Sequence, residues 1–205
     1  MPRHMFRFIR TLIAVLAFAA LTAAGLLLWL SPDPMYLAQE WMALGRYRRF
    51  DDDIRDAATR QNLDPALLKA IVWRESAFHP EKVGTSGERG LMQVGEAAAT
   101  DWAKAEKIAT FAPTDLFEPR VNLDAGAWYL RRALDHWKGK ERPLPFALAE
   151  YNAGRGRVDH WIKATNMGEQ ANADDLLGAI NYRSTRQYIV EVMRRCDLYR
   201  ESGQL

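Results

Sequence analysis

The sequence predicts a mainly α-helical protein. Three observations carry that prediction. Apolar side chains recur at three- and four-residue spacing along most of the chain, no run alternates apolar and polar residues over strand length, and residues 11–30 carry no charge at all. As a helix, this uncharged stretch would be about 30 Å long, the thickness of a bilayer core. Arg3, Arg7 and Arg10 precede it, and Trp29 stands near its outer end, where an interfacial aromatic suits the headgroup region. Ser31-Pro32-Asp33-Pro34 then stops the helix. The basic flank, residues 1–10, should stay cytoplasmic, so the remainder is exported. A cleaved signal peptide is the competing reading. Ala17-Phe18-Ala19 offers a small-x-small site, but only residues 11–16 would precede it, and the apolar residues 26–30 would remain exposed. The pattern favours a retained transmembrane anchor, and with no cysteine in this stretch lipid attachment at a cysteine is excluded.

The remaining elements follow in order. Residues 36–60 read as one amphipathic helix, with Leu37, Trp41, Leu44 and Tyr47 spaced by four and three, serving as a juxtamembrane spacer or as the first helix of the domain. Asn62-Leu63-Asp64-Pro65 is a helix start, with Asp64 at the cap and Pro65 in the first turn. The helix runs through Val72 and Trp73, and Glu75 falls near its end. Pro80, Gly84, Gly87 and Gly90 mark residues 79–90 as a loop. Helices are expected over 96–107 and over 121–138, the latter stopping at Gly139. A short buried helix over 145–152 is followed, after Gly154 and Gly156, by one over 158–164. The last helix starts with Ser184 as its cap and ends at Gly203. The expected organisation is a linker and helix over 31–61 and a catalytic domain over 62–205.

Composition narrows the function. Apolar residues make up 48% of the chain, enough for a core, and 26% are charged. The formal net charge is +2, and with Arg3, Arg7 and Arg10 set aside the rest holds 25 basic and 26 acidic side chains. A nearly neutral exported part argues against nucleic acid as a partner. His79, His136 and His160 lie far apart without partners at ligand spacing, so no metal is expected. Cys196, the single cysteine, reads as a core residue of the last helix.

The chemistry centres on Glu75. A glutamate at a helix end is usually a solvated charge or half of a surface ion pair. Here Ile71 and Val72 share its helical neighbourhood, and an apolar setting raises a carboxyl pKa, as does the negative end of a helix dipole. A carboxyl kept protonated near neutrality can give its proton to a leaving oxygen, which points to cleavage of a glycosidic bond. Most glycosidases use two carboxylates. Glu88, Glu96 and Glu150 are available, but nothing in the sequence around them marks a second catalytic group. One acid suffices when the substrate's acetamido group supplies the second function, which points to N-acetylated sugars.

Four segments in order carry a resemblance: Glu75-Ser76-x-Phe78, Gly87-x-x-Gly90-Leu91-Met92-Gln93, Ala149-x-Tyr151-Asn152-Ala153-Gly154 and Thr185-Arg186-x-Tyr188. Together they closely resemble the soluble lytic transglycosylase (SLT) family, whose catalytic domain is goose-type-lysozyme-like. The resemblance covers about residues 63–193. It implies a lysozyme-like helical domain that cleaves the MurNAc–GlcNAc bond of peptidoglycan without net hydrolysis, leaving a 1,6-anhydro-MurNAc end. Such an enzyme is a carbon–oxygen lyase of cell wall metabolism and needs no cofactor. Glu75 would be the sole acid/base; Met92, Gln93, Tyr151, Asn152 and Tyr188 would bind substrate in the cleft. With the anchor, it implies a single-pass inner-membrane protein whose catalytic domain faces glycan strands in the periplasm.

Departures from the family pattern are local. Gly84 stands where a substrate-contacting serine is frequent, so Ser86, with Thr85 as the alternative, is the hydroxyl assigned to that contact. Glu88 replaces the usual alanine and puts another charge near the cleft. Val94-Gly95-Glu96 replaces an apolar-Met-Pro continuation, and Asn181 and Ser184 stand where proline and glutamate are common. A muramidase on the same fold and a non-catalytic glycan-binding or assembly protein of an envelope apparatus are the alternative readings.

Overall fold

A computed structural model describes residues 3–31 and 33–204. Pro32, part of the expected helix stop, lies outside the described residues, as do Met1, Pro2 and Leu205 at the ends of the expected segments. The chain divides into two compact units, Met1–Arg49 and Phe50–Leu205.

In the first unit, α1 spans Arg3–Leu30 and α2 spans Pro34–Met42. Within α1, Phe6–Leu27 has a mean hydropathy of 2.0, long and apolar enough for a membrane anchor or a signal sequence. Its two threonines satisfy their own hydroxyls: Thr11 donates to the Arg7 carbonyl and Thr22 to the Phe18 carbonyl. Such self-satisfaction suits an apolar surrounding. Asp33 does more than end α1. Its carboxylate accepts the Tyr36 N–H at 2.9 Å and, with Pro34 in the first turn, starts α2.

The single helix expected over 36–60 is broken in two. α2 ends at Met42, and Leu44 and Gly45 take left-handed conformations with φ of 50° and 82°. A 3₁₀ turn, Arg46–Arg48, follows. Gly45 makes the reversal cheap, so three- and four-residue spacing continues across a point where the helix does not. Tyr36 and Tyr47 then meet with ring centroids 5.6 Å apart.

The second unit holds α3 (Asp51–Arg60), α4 (Pro65–Ser76), α5 (Glu96–Ala105), α6 (Pro119–His136), α7 (Pro143–Ala153), α8 (Arg155–Ala164), α9 (Ala173–Ala179) and α10 (Arg183–Ser202). Among the described residues the only β structure is two isolated antiparallel bridges, Val83 with Arg89 and Arg89 with Val94. Two helices are wrapped by the rest. Seven consecutive residues of α4, from Ala66 to Val72, are buried, and so are six of α7, from Pro145 to Glu150. A helix buried all round has no polar face to show, which is why neither segment looks amphipathic in sequence. α10 packs along α4 and α7, α6 packs on α7, and α3 bridges α4 and α6.

The fully buried Lys69 on α4 ties distant parts together. Its ammonium pairs with Asp51 at 2.8 Å and donates to the Gln204 carbonyl at 2.9 Å. A buried cation is tolerable only with such partners. Cys196 is buried in the core of α10, as expected, and burial pushes its thiol up to about 12. Several helix starts differ from expectation: α6, α7 and α8 begin two or three residues earlier, with Gly156 inside α8. α10 begins at Arg183 with Tyr182 in the cap position, so Ser184 sits inside the first turn. α9, absent from the sequence-based expectation, is nucleated by a capping box in which Asn172 and Asp175 each accept the other's backbone N–H.

Candidate active site

Local sequence places Glu75. Asp64 accepts the Ala66 N–H at 2.8 Å and starts α4; three turns later the helix ends at Ser76 because Ala77 and Phe78 turn left-handed, with φ of 48° and 62°. Phe78 is then fully buried, which anchors the reversal. Glu75 is left at the last turn, on the wall of an open cavity of about 630 Å³.

One wall comes from the loop after α4. It brings Lys82, Gly84, Glu88 and Gln93 to the cavity. The loop is held by backbone bonds from Gly84 N–H to the Glu88 carbonyl and between Arg89 and Val94, and by the Gln93 side-chain amide, which donates to the carbonyls of Lys82 (3.1 Å) and Gly90 (3.0 Å). The Lys82 ammonium donates to the backbone carbonyl of Glu75. Tyr129 from α6, with Tyr151 and Asn152 from the end of α7, makes the facing wall. The rings of Tyr129 and Tyr151 meet edge to face, 5.7 Å between centroids.

The environment of Glu75 suits an acid. Its pKa is raised to about 7, first by burial and to a lesser degree by the Glu88 carboxylate; Tyr188, Lys82 and Arg74 oppose the rise. A group titrating there is substantially protonated at neutral pH and can still act as a base once it has lost its proton. The Tyr188 hydroxyl is buried beside this carboxyl. It acts on the acid as a hydrogen-bond donor, yet it has no partner at full hydrogen-bonding geometry. The contact is therefore looser than a formed bond, and the hydroxyl keeps bonding capacity. Burial, then the charge of Glu75, holds the Tyr188 hydroxyl well above the ordinary tyrosine range, so it remains a donor. Arg74 lies over the Tyr188 ring at 5.7 Å and pairs with Glu191 at 2.7 Å.

The residues singled out in sequence fall into three positions. Glu75, Gln93, Tyr151 and Asn152 share the cavity lining. Met92 and Tyr188 are buried behind it. Met92 packs so closely on Gly126 of α6 that a Cβ there would lie 2.5 Å from its sulfur. Ser86 is exposed on the loop, outside the lining, and its backbone N–H donates to Glu88 Oε2 at 3.1 Å. Half-buried hydrogen bonds join these parts: the Tyr151 hydroxyl donates to the Met92 carbonyl at 2.9 Å, and the Thr185 hydroxyl donates to the Asn152 side-chain carbonyl at 2.8 Å.

Sequence reasoning missed Lys82, Tyr129 and Asn122. Asn122 is fully buried at the start of α6. Its carbonyl accepts the Met92 N–H at 2.7 Å, and its amide donates to the carbonyls of Arg89 (2.7 Å) and Leu116 (2.8 Å). It replaces the missing secondary structure of the loop as a hydrogen-bonding partner. Gly90 is packed against it: a Cβ there would lie 2.2 Å from the Asn122 amide nitrogen. No local pattern around an asparagine in a helix's first turn reveals this, because its partners lie up to 33 residues away.

Comparison with known proteins agrees with this architecture. Residues 52–173 match the family model described as Transglycosylase SLT domain. Over 157 residues the chain is 32% identical to the soluble lytic murein transglycosylase of Salmonella typhimurium, covering 74% of this chain and 24% of that protein. Over 131 residues it is 34% identical to membrane-bound lytic murein transglycosylase F of Desulfosudis oleivorans, covering 62% of this chain and 27% of that one. The structure superposes on that of an inactive mutant of the lytic transglycosylase Slt from Pseudomonas aeruginosa with a TM-score of 0.69 and 27% identity, over 82% of this chain and 27% of that one. The chain thus spans about a quarter of the length of these relatives.

Proposed function

This chain belongs to the transglycosylase SLT family, and from that premise we propose that it is a peptidoglycan lytic transglycosylase with Glu75 as its sole acid/base. The substrate is the β-1,4 bond between MurNAc and GlcNAc, and the product carries a 1,6-anhydro-MurNAc end. The observation that carries the proposal is one carboxyl, poised near neutrality by burial, in a cavity walled by tyrosines and amides.

The steps follow from that arrangement. Protonated Glu75 gives its proton to the glycosidic oxygen as the C1–O bond breaks. The acetamido carbonyl oxygen of MurNAc bonds to C1 from the opposite face. Glu75, now a carboxylate, takes the proton of the C6 hydroxyl as that oxygen bonds to C1 and the acetamido oxygen leaves. Proton and bonds balance without water, and the acid returns to its starting state. Gln93, Asn152 and the tyrosines hold hydroxyls, acetamido groups and ring faces; Met92 and Tyr188 support them from behind. Ser86 supplies its substrate contact only at the exposed edge of the loop.

α1 acts in this reading as a single-pass inner-membrane anchor with residues 1–10 in the cytoplasm, residues 31–61 as linker and helix, and residues 62–205 as the catalytic domain in the periplasm. α3 packs on that domain and extends it.

A muramidase is the second reading, and the position of Glu88 in the same cavity favours it, since hydrolysis needs a base for water. Mass spectrometry of muropeptides released from purified sacculi by the detergent-solubilised chain separates the two. Products one water lighter than the reducing forms, absent with Glu75→Gln, are expected. Reducing products alone would sink the transglycosylase reading.

A further inference from the structure

Glu88 is the one other acidic side chain, among the described residues, that lines the cavity with Glu75. Its position is built rather than incidental. A Cβ on Gly84 would lie 2.3 Å from Glu88 Oε2 and 3.3 Å from Glu88 Cβ, so the carboxylate occupies the space that any side chain at position 84 would need. The Ser86 N–H donates to the same oxygen at 3.1 Å. The Gly84 N–H, in turn, donates to the Glu88 backbone carbonyl at 2.7 Å, closing the turn that carries both residues. Among the described residues no lysine or arginine sits within ion-pair distance of this carboxylate, although Lys82 lines the same cavity and donates to the Glu75 backbone carbonyl. A carboxylate has about four acceptor sites. Glu88 thus presents a fixed anionic acceptor with unused capacity to whatever enters beside the acid.

We propose that Glu88 is a second substrate-contacting catalytic residue, whose carboxylate accepts the N–H of the 2-acetamido group that attacks C1. This rests on the transglycosylase reading above. When the acetamido oxygen bonds to C1, the amide becomes a cyclic cation and its N–H a far stronger donor. No proton need transfer to Glu88: the hydrogen bond strengthens as positive charge develops and relaxes when the C6 oxygen displaces the acetamido oxygen. An acceptor that binds the cationic state more tightly than the ground state raises kcat with little change in KM. A neutral hydroxyl at this place would lack the charge term. The loss of any side chain at Gly84 is then the steric condition for the carboxylate's presence.

The test uses the full chain in detergent, with glycan strands as substrate and anhydro-muropeptide release as the readout. Glu88→Ala and the isosteric Glu88→Gln are each expected to lower kcat by about tenfold to a hundredfold with KM within twofold. Gly84→Ala, whose methyl would meet both Glu88 Oε2 at 2.3 Å and Gln93 Oε1 at 2.9 Å, should give a loss at least as large. The double variant Gly84→Ala/Glu88→Ala separates the two contacts of the new methyl, because any loss beyond that of Glu88→Ala alone belongs to Gln93. Unchanged kcat in Glu88→Gln, with wild type releasing anhydro products, overturns this inference and leaves the transglycosylase reading intact. Loss of reducing products alone in Glu88→Gln assigns Glu88 to water activation and likewise overturns it. A wild-type chain that releases no anhydro product overturns the reading beneath it, and the inference with it.

Discussion

The two walls of the cavity are built differently. The wall bearing the acid is one continuous stretch, Glu75 through the loop to Gln93, shaped by a helix end, left-handed residues and a tight turn. The facing wall takes Tyr129 from α6 and Tyr151 and Asn152 from α7, with α10 propping Asn152 through Thr185 and presenting Tyr188 to Glu75 from behind. The first wall is chemistry set by local sequence. The second is a surface that exists only when three helices are packed. They are joined at the acid by α10 packing along α4, and at the loop by the Tyr151 hydroxyl on the Met92 carbonyl and Asn122 on the Met92 N–H. Substitutions therefore separate chemistry from assembly.

The largest expected effect lies on the acid's wall. Glu75→Gln should lower turnover at least a hundredfold, the scale of general acid–base catalysis, measured as anhydro-muropeptide release. Residual activity within tenfold would mean that the facing wall carries the chemistry. Next comes the joint. Asn122→Ala leaves the Met92 N–H and the Leu116 carbonyl without their partner and takes one of two hydrogen bonds from the Arg89 carbonyl, and should cost about 2–4 kcal/mol in denaturant unfolding. A loss below about 1 kcal/mol would mean that the loop holds its own shape.

The acid's wall should also trade stability for function. The folded pKa of Glu75 is raised above 4.5 to about 7. Between those values the unfolded state loses its proton first, so the wild type becomes less stable as pH rises through this window, and the loss is complete above it. Below pH 4.5 both states hold the proton and the penalty vanishes. Glu75→Gln should therefore be more stable than wild type at pH 8, by about 2 kcal/mol after allowance for solvent screening, with the gap closing toward pH 4. Equal melting at both pH values would contradict the desolvated acid. Activity has the matching sign: it should fall on the alkaline side as Glu75 ionises before the first step.

Smaller effects sharpen the contrast. Tyr151→Phe removes one hydrogen bond between the walls and should cost about 1 kcal/mol of stability, with the ring contact to Tyr129 retained. Lys82→Met removes a charge that lowers the Glu75 pKa, so the alkaline limb of the activity profile should move upward by a few tenths of a pH unit. A downward move would place Lys82 on the other side of the acid's balance.

Sequence alone determined much of the first wall. Asp64-Pro65 begins α4 through a side-chain bond two residues long, and Glu75 follows Ile71 and Val72 at helical spacing, so both start and acid are local statements. The apolar α1 and the absence of strand-like alternation are composition and period, which act without knowledge of the fold. The break at Leu44-Gly45 escaped because spacing alone does not reveal a left-handed turn, and α9 escaped because its capping box follows no long apolar run. What only tertiary structure decided is pairing across distance. Asn122 under Met92 and Tyr129 against Tyr151 depend on close approach in three dimensions. Local propensity says which residues can form a helix or a turn. Steric exclusion and hydrogen-bond satisfaction inside the packed domain select which side chains meet.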